Sequence, residues 1–164
     1  MKEQGDLFTP HVHRNVRLLM VGHSNHTFDR FAELLTRHQV TLLVDVRSSP
    51  QSRFCPHFNA KRLALSLAVL GIRYLHAPQL GGKNPLPVAE LRRDVAALLP
   101  LTQVTALMCS EGKFQECHRH YLLTPLFVER GVWVEQILPD GALVPDAGPT
   151  EATLRKMRAG LPAA

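Results

Sequence analysis

The sequence predicts an α/β protein, a three-layer sandwich with a mainly parallel sheet of about five strands and helices on both faces. Three observations predict it. Short apolar runs of strand length alternate with longer stretches whose apolar residues recur at helical spacing, the order that parallel strands and crossover helices require. The strand candidates are apolar on both sides, as expected where both faces of a sheet are covered. At 164 residues the chain has the usual length of one domain with a buried sheet.

Residues 1–16, "MKEQGDLFTPHVHRNV", have no clear periodicity and read as an N-terminal arm. "RLLMVG" (17–22) is the first strand, ended by a glycine. Thr27 can cap a helix through "FDRFAELLTRH", where Phe28, Phe31, Leu34 and Leu35 share a face and Asp29 suits the positive helix start. "TLLVDV" (41–46) is the second strand, and "RSSPQSRFCPHF" (47–58), with two prolines, is a long loop of the kind that often carries function. Asn59 is placed to cap "AKRLALSLAVLG", a helix stopped by Gly71, and "IRYLH" is the third strand. "APQLGGKNPLP" is a second long loop, in which Gly81 and Gly82 free the backbone. "VAELRRDVAALL" reads as a helix, "QVTALM" (103–108) as a strand, residues 117 to about 130 as a helix ended by Gly131, and "VWVEQIL" as the last strand. Pro125 interrupts that fourth helix and predicts a kink near Tyr121. The expected organisation is thus an arm (1–16), one domain (17–138) and a tail (139–164) with a short helical patch at "TEATLRKMRA".

Composition excludes several classes. No apolar stretch approaches the ~20 residues of a membrane span and no signal-like start is present, so a soluble cytoplasmic protein without membrane contact is expected. Three cysteines is an odd number, and a chain of this size does not need a disulfide framework, so free thiols are expected. The formal charge of +5 permits an anionic partner. Lys and Arg are scattered rather than gathered into a binding arm, and aromatic residues, at 6%, do not interleave with them as stacking platforms would. A pocket for a small anionic ligand is therefore favoured over an extended nucleic-acid surface, although nucleic acid stays open as a partner.

In a parallel α/β sheet, ligands bind beyond the carboxyl ends of the strands. The segments that follow the first four strands are "GHSNHT", "RSSPQSRFCPHF", "APQLGG" and "CSEGKFQECHR". They gather most of the unusual polar residues at one edge. Cys109 directly follows a strand, Cys117 lies near a helix start, and a thiol beside cations at such a start has the lowered pKa that nucleophilic chemistry needs. His118, Arg119 and His120 at a helix start call for an acidic counterpart, either a ligand or Glu111. Asp45, a carboxylate in an apolar strand, must be paired, with Arg47, Arg53 or a loop amide as candidates, and is read as a base or an orienting group. Arg47, Arg53, Arg119 and His57 suit a phosphate or carboxylate; His23 and Ser24 add polar groups after the first strand.

Two cysteine-loop chemistries fit less well. A phosphatase loop needs an arginine six positions after its cysteine, and Gln115 stands there. Cys109, Cys117, His118 and His120 are suitable metal-ligand types, but the gap between the cysteines exceeds that of structural zinc sites, and His118 and His120 face different sides of a helix. Neither metal nor cofactor is expected. "LLVDVR" followed later by a strand-Cys-Ser-Glu-Gly loop resembles the broad plan of rhodanese sulfurtransferases, with Cys109 at their catalytic position, although the loop here is longer.

"VGHSNHTFDRFAELL", "LLVDVRSSPQSRFCPHFN", "IRYLHAPQLGG" and "LMCSEGKFQECHRHYLL", in this order, resemble the family called domain of unknown function 488, from about residue 18 to 137. The resemblance implies a compact bacterial or archaeal-type α/β domain with a polar pocket, and no established reaction. It highlights Gly22, His23, Ser24, Asp45, Arg47, Ser52, Arg53, Gly81, Gly82, Cys109, Glu111, Cys117, His118 and Arg119, while Cys55 and Pro125 depart from the pattern. The leading expectation is an enzyme for a small anionic ligand, a nucleotide or phosphate-bearing group free or within nucleic acid. Asp45, Cys109 and Glu111 are its catalytic candidates. His23, Ser24, Arg47, Arg53, His57, Cys117, His118 and Arg119 are its ligand-binding candidates. Sulfur transfer through Cys109 and a non-catalytic nucleic-acid-binding module are the alternatives.

Overall fold

The computed structural model describes residues 17–158; the N-terminal arm read from the sequence lies outside them. Strands β1 (Leu18–Gly22), β2 (Leu42–Asp45), β3 (Arg73–His76), β4 (Thr105–Cys109), β5 (Val134–Ile137) and β6 (Leu143–Pro145) form one sheet in the order β3-β2-β4-β1-β5-β6. The first five are parallel, and β6 runs antiparallel to β5 at the edge.

The sandwich has three layers because successive residues of the central strands face opposite ways. Leu19, Val21, Leu43, Ala106 and Met108 pack against α1 (Phe28–Arg37) and α2 (Ala60–Val69) through Phe31, Leu34, Leu35, Leu63 and Leu67. Leu18, Met20, Val44 and Leu107 face the other layer, α3 (Val88–Ala97) and α4 (Thr124–Val128), through Leu91, Val95, Leu126 and Phe127. Each fully buried Leu, Val, Phe or Met among them contributes about 1.5–3 kcal/mol of apolar burial. No described helix is long and apolar enough to cross a membrane.

The sheet has six strands rather than five, and it continues past residue 138 into the expected tail. "PDGA" turns the chain back: the Gly141 N–H donates to the Leu138 carbonyl, and the Leu138 N–H donates to the Ala142 carbonyl at 2.9 Å. Gly141 sits at φ 89°, a conformation that suits glycine. The sixth strand is three residues long and ends in proline, too short to show a period. Asp146, just beyond it, is buried and accepts hydrogen bonds from His120 Nδ1 (2.8 Å), Thr124 Oγ1 (3.0 Å), Gln136 Nε2 (2.7 Å) and the Gly148 N–H (2.8 Å). Burial opposes its ionisation, but the bonds from His120, Gln136 and Gly148 outweigh that and hold its carboxyl below the usual range. Helix α5 (Glu151–Arg158) follows, where the helical patch was expected.

Two local expectations change. Thr27 does cap α1, accepting from the Arg30 N–H at 3.2 Å. Asn59 precedes α2 without capping it; its Oδ1 accepts instead from the Ser52 N–H at 2.6 Å, which ties the long loop back to the helix. The break before Pro125 takes the form of a π-helical turn at Arg119–Leu123. Proline removes a backbone donor, and the Thr124 hydroxyl donates to the Arg119 carbonyl at 2.9 Å.

Candidate functional site

The carboxyl ends of β1, β2 and β4, with the loop after β3, enclose a cavity of about 550 Å³. Its walls include His23, Arg47, Arg53, Cys109, Glu111, Cys117 and His118. It lies beside β4 and β1 at the centre of the sheet, where strands run outward in both directions.

One wall rests on a buried ion pair. Asp45 accepts from Arg47 Nε (2.8 Å), Arg47 Nη2 (2.6 Å), the Arg47 N–H (3.1 Å) and the Tyr74 hydroxyl (2.7 Å). Arg47 also donates to the Phe58 carbonyl (2.7 Å) and, through Nη1, to His23 Nε2 (3.2 Å). Because arginine only donates, His23 Nε2 is the acceptor and Nδ1 carries the proton that reaches the Ser24 carbonyl at 2.8 Å. Burial, aided by the Arg47 charge and opposed by the Ser24 carbonyl, lowers the His23 pKa to about 4. The ring is thus neutral near pH 7, stacked on Phe58 at 4.4 Å between centroids. Burial and the Asp45 carboxylate push the Tyr74 phenol well above its usual range. Asp45 therefore orients Arg47. It is fully buried and not among the residues that line the cavity.

The floor is a sulfur–imidazole cluster. Cys109 ends β4, Cys117 ends a short 3₁₀ turn, and His118 opens the π turn. Sγ of Cys109 and Sγ of Cys117 each lie 3.7 Å from His118 Nδ1. On the far side of the ring, Nε2 meets the Leu80 carbonyl at 3.1 Å. Arg119, 1% exposed, donates from Nε to Cys117 Sγ (3.2 Å) and from Nη2 to the Glu111 carbonyl (2.8 Å); its Nη1 has no partner among the described residues. The Cys117 S–H, opposed by burial and helped by His118 and the Glu111 N–H, lowers the Cys109 thiol to about 3. The same bond and burial push Cys117 up.

Glycines make the closeness possible. A Cβ on Gly22 would collide with the Glu111 carbonyl, and one on Gly82 would lie 2.7 Å from His118 Cγ. The rim is different in character: Arg53 and Lys83 are exposed and form no ion pair among the described residues, and Phe54 stands 95% exposed between Arg53 and Cys55. Glu111 and Glu116 bring negative charge to the same opening.

The structure brings together His23, Arg47, Arg53, Cys109, Glu111, Cys117 and His118, and leaves four expected residues off the wall. Asp45 and Arg119 brace it from behind. Ser24 is a turn residue at φ 46°. His57 points Nε2 at the His26 carbonyl (2.8 Å). The acidic counterparts at the helix start also differ from expectation. His120 pairs with Asp146, and Arg119 meets a sulfur and the Glu111 carbonyl rather than its carboxylate. Phe54, Lys83, Glu116 and Tyr121 line the cavity without having been singled out. Lys83 carried a signal, its place directly after the paired glycines. The others look like ordinary loop and helix residues.

A family model described as "Domain of unknown function DUF488" matches residues 27–96. That span holds Asp45, Arg47, Arg53 and the two glycines, and it ends before β4 and the sulfur cluster. No curated protein and no solved structure matches the chain.

Proposed function

Through residues 27–96 the chain belongs to the domain of unknown function 488 family, and from its own side chains we propose an enzyme that acts on a nucleotide or similar phosphate-bearing anion, free or within nucleic acid. The observation that carries this reading is the rim: Phe54, 95% exposed, and the exposed cations Arg53 and Lys83 line the same cavity of about 550 Å³. Small-molecule sites commonly measure about 300–1,000 Å³. An exposed phenyl face offers a base a stacking platform, and two cations without acidic partners offer its phosphate a grip.

Arg47 plays a different part from Arg53 and Lys83. Four of its five N–H donors are committed to Asp45, Phe58 and His23, so it chiefly stiffens the wall and lends positive potential. With the phosphate at Arg53 and Lys83, the inner end of the ligand faces Cys109, Cys117 and His118, and Glu111 is the carboxylate available at the opening to take or give a proton. Neutral His23 supports the floor without adding charge to it.

The test is a calorimetric titration with adenosine monophosphate and with inorganic phosphate. Phe54→Ala is expected to weaken the nucleotide by about 1–3 kcal/mol, roughly 5- to 150-fold, while leaving phosphate unchanged. Arg53→Ala/Lys83→Ala is expected to weaken both. Failure of either ligand to bind the unaltered chain, or equal loss of both in Phe54→Ala, contradicts the reading.

A further inference from the structure

We propose that Cys109, Cys117 and His118 hold one zinc ion whose fourth coordination position opens into the cavity. The three ligand atoms lie within 4.8 Å of one another. The identity of the reacting group deepens the functional reading above and rests on it, whereas the metal site itself stands on the geometry of the cluster.

The imidazole is set for this role by its far nitrogen. A carbonyl oxygen only accepts, so the contact between Nε2 and the Leu80 carbonyl at 3.1 Å fixes the proton on Nε2. Nδ1, the atom that faces both sulfurs, is then the nitrogen left to bind an ion. A metal-bound histidine characteristically donates its other N–H to a carbonyl or carboxylate in this way.

The two nitrogen–sulfur distances agree with a tetrahedral ion. Bonds of about 2.3 Å to sulfur and about 2.0–2.1 Å to nitrogen, at a tetrahedral angle, place N and S about 3.6 Å apart. Both sulfurs are 3.7 Å from Nδ1. Two thiolates and an imidazole, with no carboxylate in the set, select a borderline-soft ion such as zinc over magnesium or calcium. Arg119 Nε, at 3.2 Å from Cys117 Sγ, supplies a hydrogen bond to one of the ligand sulfurs.

All three ligands are buried, and all three line the cavity. Three protein ligands with an open fourth position characterise catalytic rather than structural zinc. Water would occupy that position, activated by the ion beside the inner end of the bound anion. Loading balances as one Zn²⁺ taken up and up to two thiol protons released. The expectation of no metal rested on the seven residues between the cysteines and on His118 and His120 facing different sides of a helix; the cluster uses His118 alone. The loop at 110–116 folds back and closes that gap in space.

The experiment measures zinc in the full chain, stripped with a chelator and reconstituted with zinc alone under reducing conditions, and follows cobalt(II) substitution by absorbance. One ion per chain is expected, with a sulfur-to-cobalt charge-transfer band and the visible bands of tetrahedral cobalt. Cys109→Ser, Cys117→Ser and His118→Ala should each lose stoichiometric uptake, whereas Cys55→Ser, which alters a cysteine outside the cluster, should keep it. A folded chain that takes up no zinc, or Cys109→Ser binding it as tightly as the unaltered chain, overturns the proposal. Uptake without any nucleotide or phosphate binding supports the metal site and overturns the functional reading instead.

Discussion

Replacing Asp45 with alanine is expected to destabilise the fold by about 3–5 kcal/mol, the range for a buried ion pair that loses one partner. Both members are shielded from water: side-chain exposure is 0% for Asp45 and 5% for Arg47. Without the carboxylate, Arg47 Nε loses its acceptor, and the guanidinium becomes an uncompensated charge beneath the cavity wall. The Tyr74 hydroxyl loses its acceptor as well. Urea denaturation measures the loss. The substitution of both partners, Asp45→Leu with Arg47→Leu, separates pairing from packing, because replacing a buried pair by apolar groups often costs little. It should recover much of the stability while altering the cavity wall.

Gly22→Ala is expected to cost about 1–3 kcal/mol through overpacking and to displace the floor of the cavity. Gly22 pairs in register with Cys109 across β1 and β4, and its missing side chain is where the Glu111 carbonyl rests. A methyl group there pushes the loop off the strand end, and Arg119 Nη2, bonded to that carbonyl at 2.8 Å, moves with it. Gly71→Ala is the contrasting change. It meets no atom within 4 Å but sits at φ +73°, so it should cost about 1–2 kcal/mol in backbone strain and leave the cavity intact. Thermal melts give the stability terms, and nucleotide titration shows which variant also loses the site.

Much of this was legible in the sequence because the signals were local. The strands that became β1 to β5 were visible as apolar runs, and their order alone put the loops after Gly22, Asp45, His76 and Cys109 at one edge. Pro125 announced a break in its helix, though not that the break would be a π turn. β6 was hidden by its length and by the proline that ends it. Side-chain allegiance was the larger difficulty. Asp45 and Arg119 carry the residue types of a reactive site, yet Asp45 is bonded within the protein and Arg119 gives Nε and Nη2 to Cys117 and the Glu111 carbonyl. His57, equally plausible by type, turns to a carbonyl of the neighbouring loop. Phe54, unremarkable in the chain, and Lys83, marked only by the paired glycines before it, stand at the rim because the loops after β2 and β3 bring them there. The cluster of Cys109, Cys117 and His118 was dismissed on spacing, a guide that fails when the intervening loop folds back on itself.

The claim that joins these observations is that one cavity has an anion-gripping rim and a sulfur floor. Alkylation of Cys109 by iodoacetate and by iodoacetamide, on protein freed of divalent metal and followed by peptide mass, tests it most directly. The reagents are close in size and differ in charge. Relative to a free cysteine peptide, Cys109 should favour iodoacetate severalfold, Arg53→Ala/Lys83→Ala should abolish that preference, and adenosine monophosphate should slow both reactions. A reagent preference equal to that of the free peptide, unchanged in the double variant and indifferent to the nucleotide, would contradict the account.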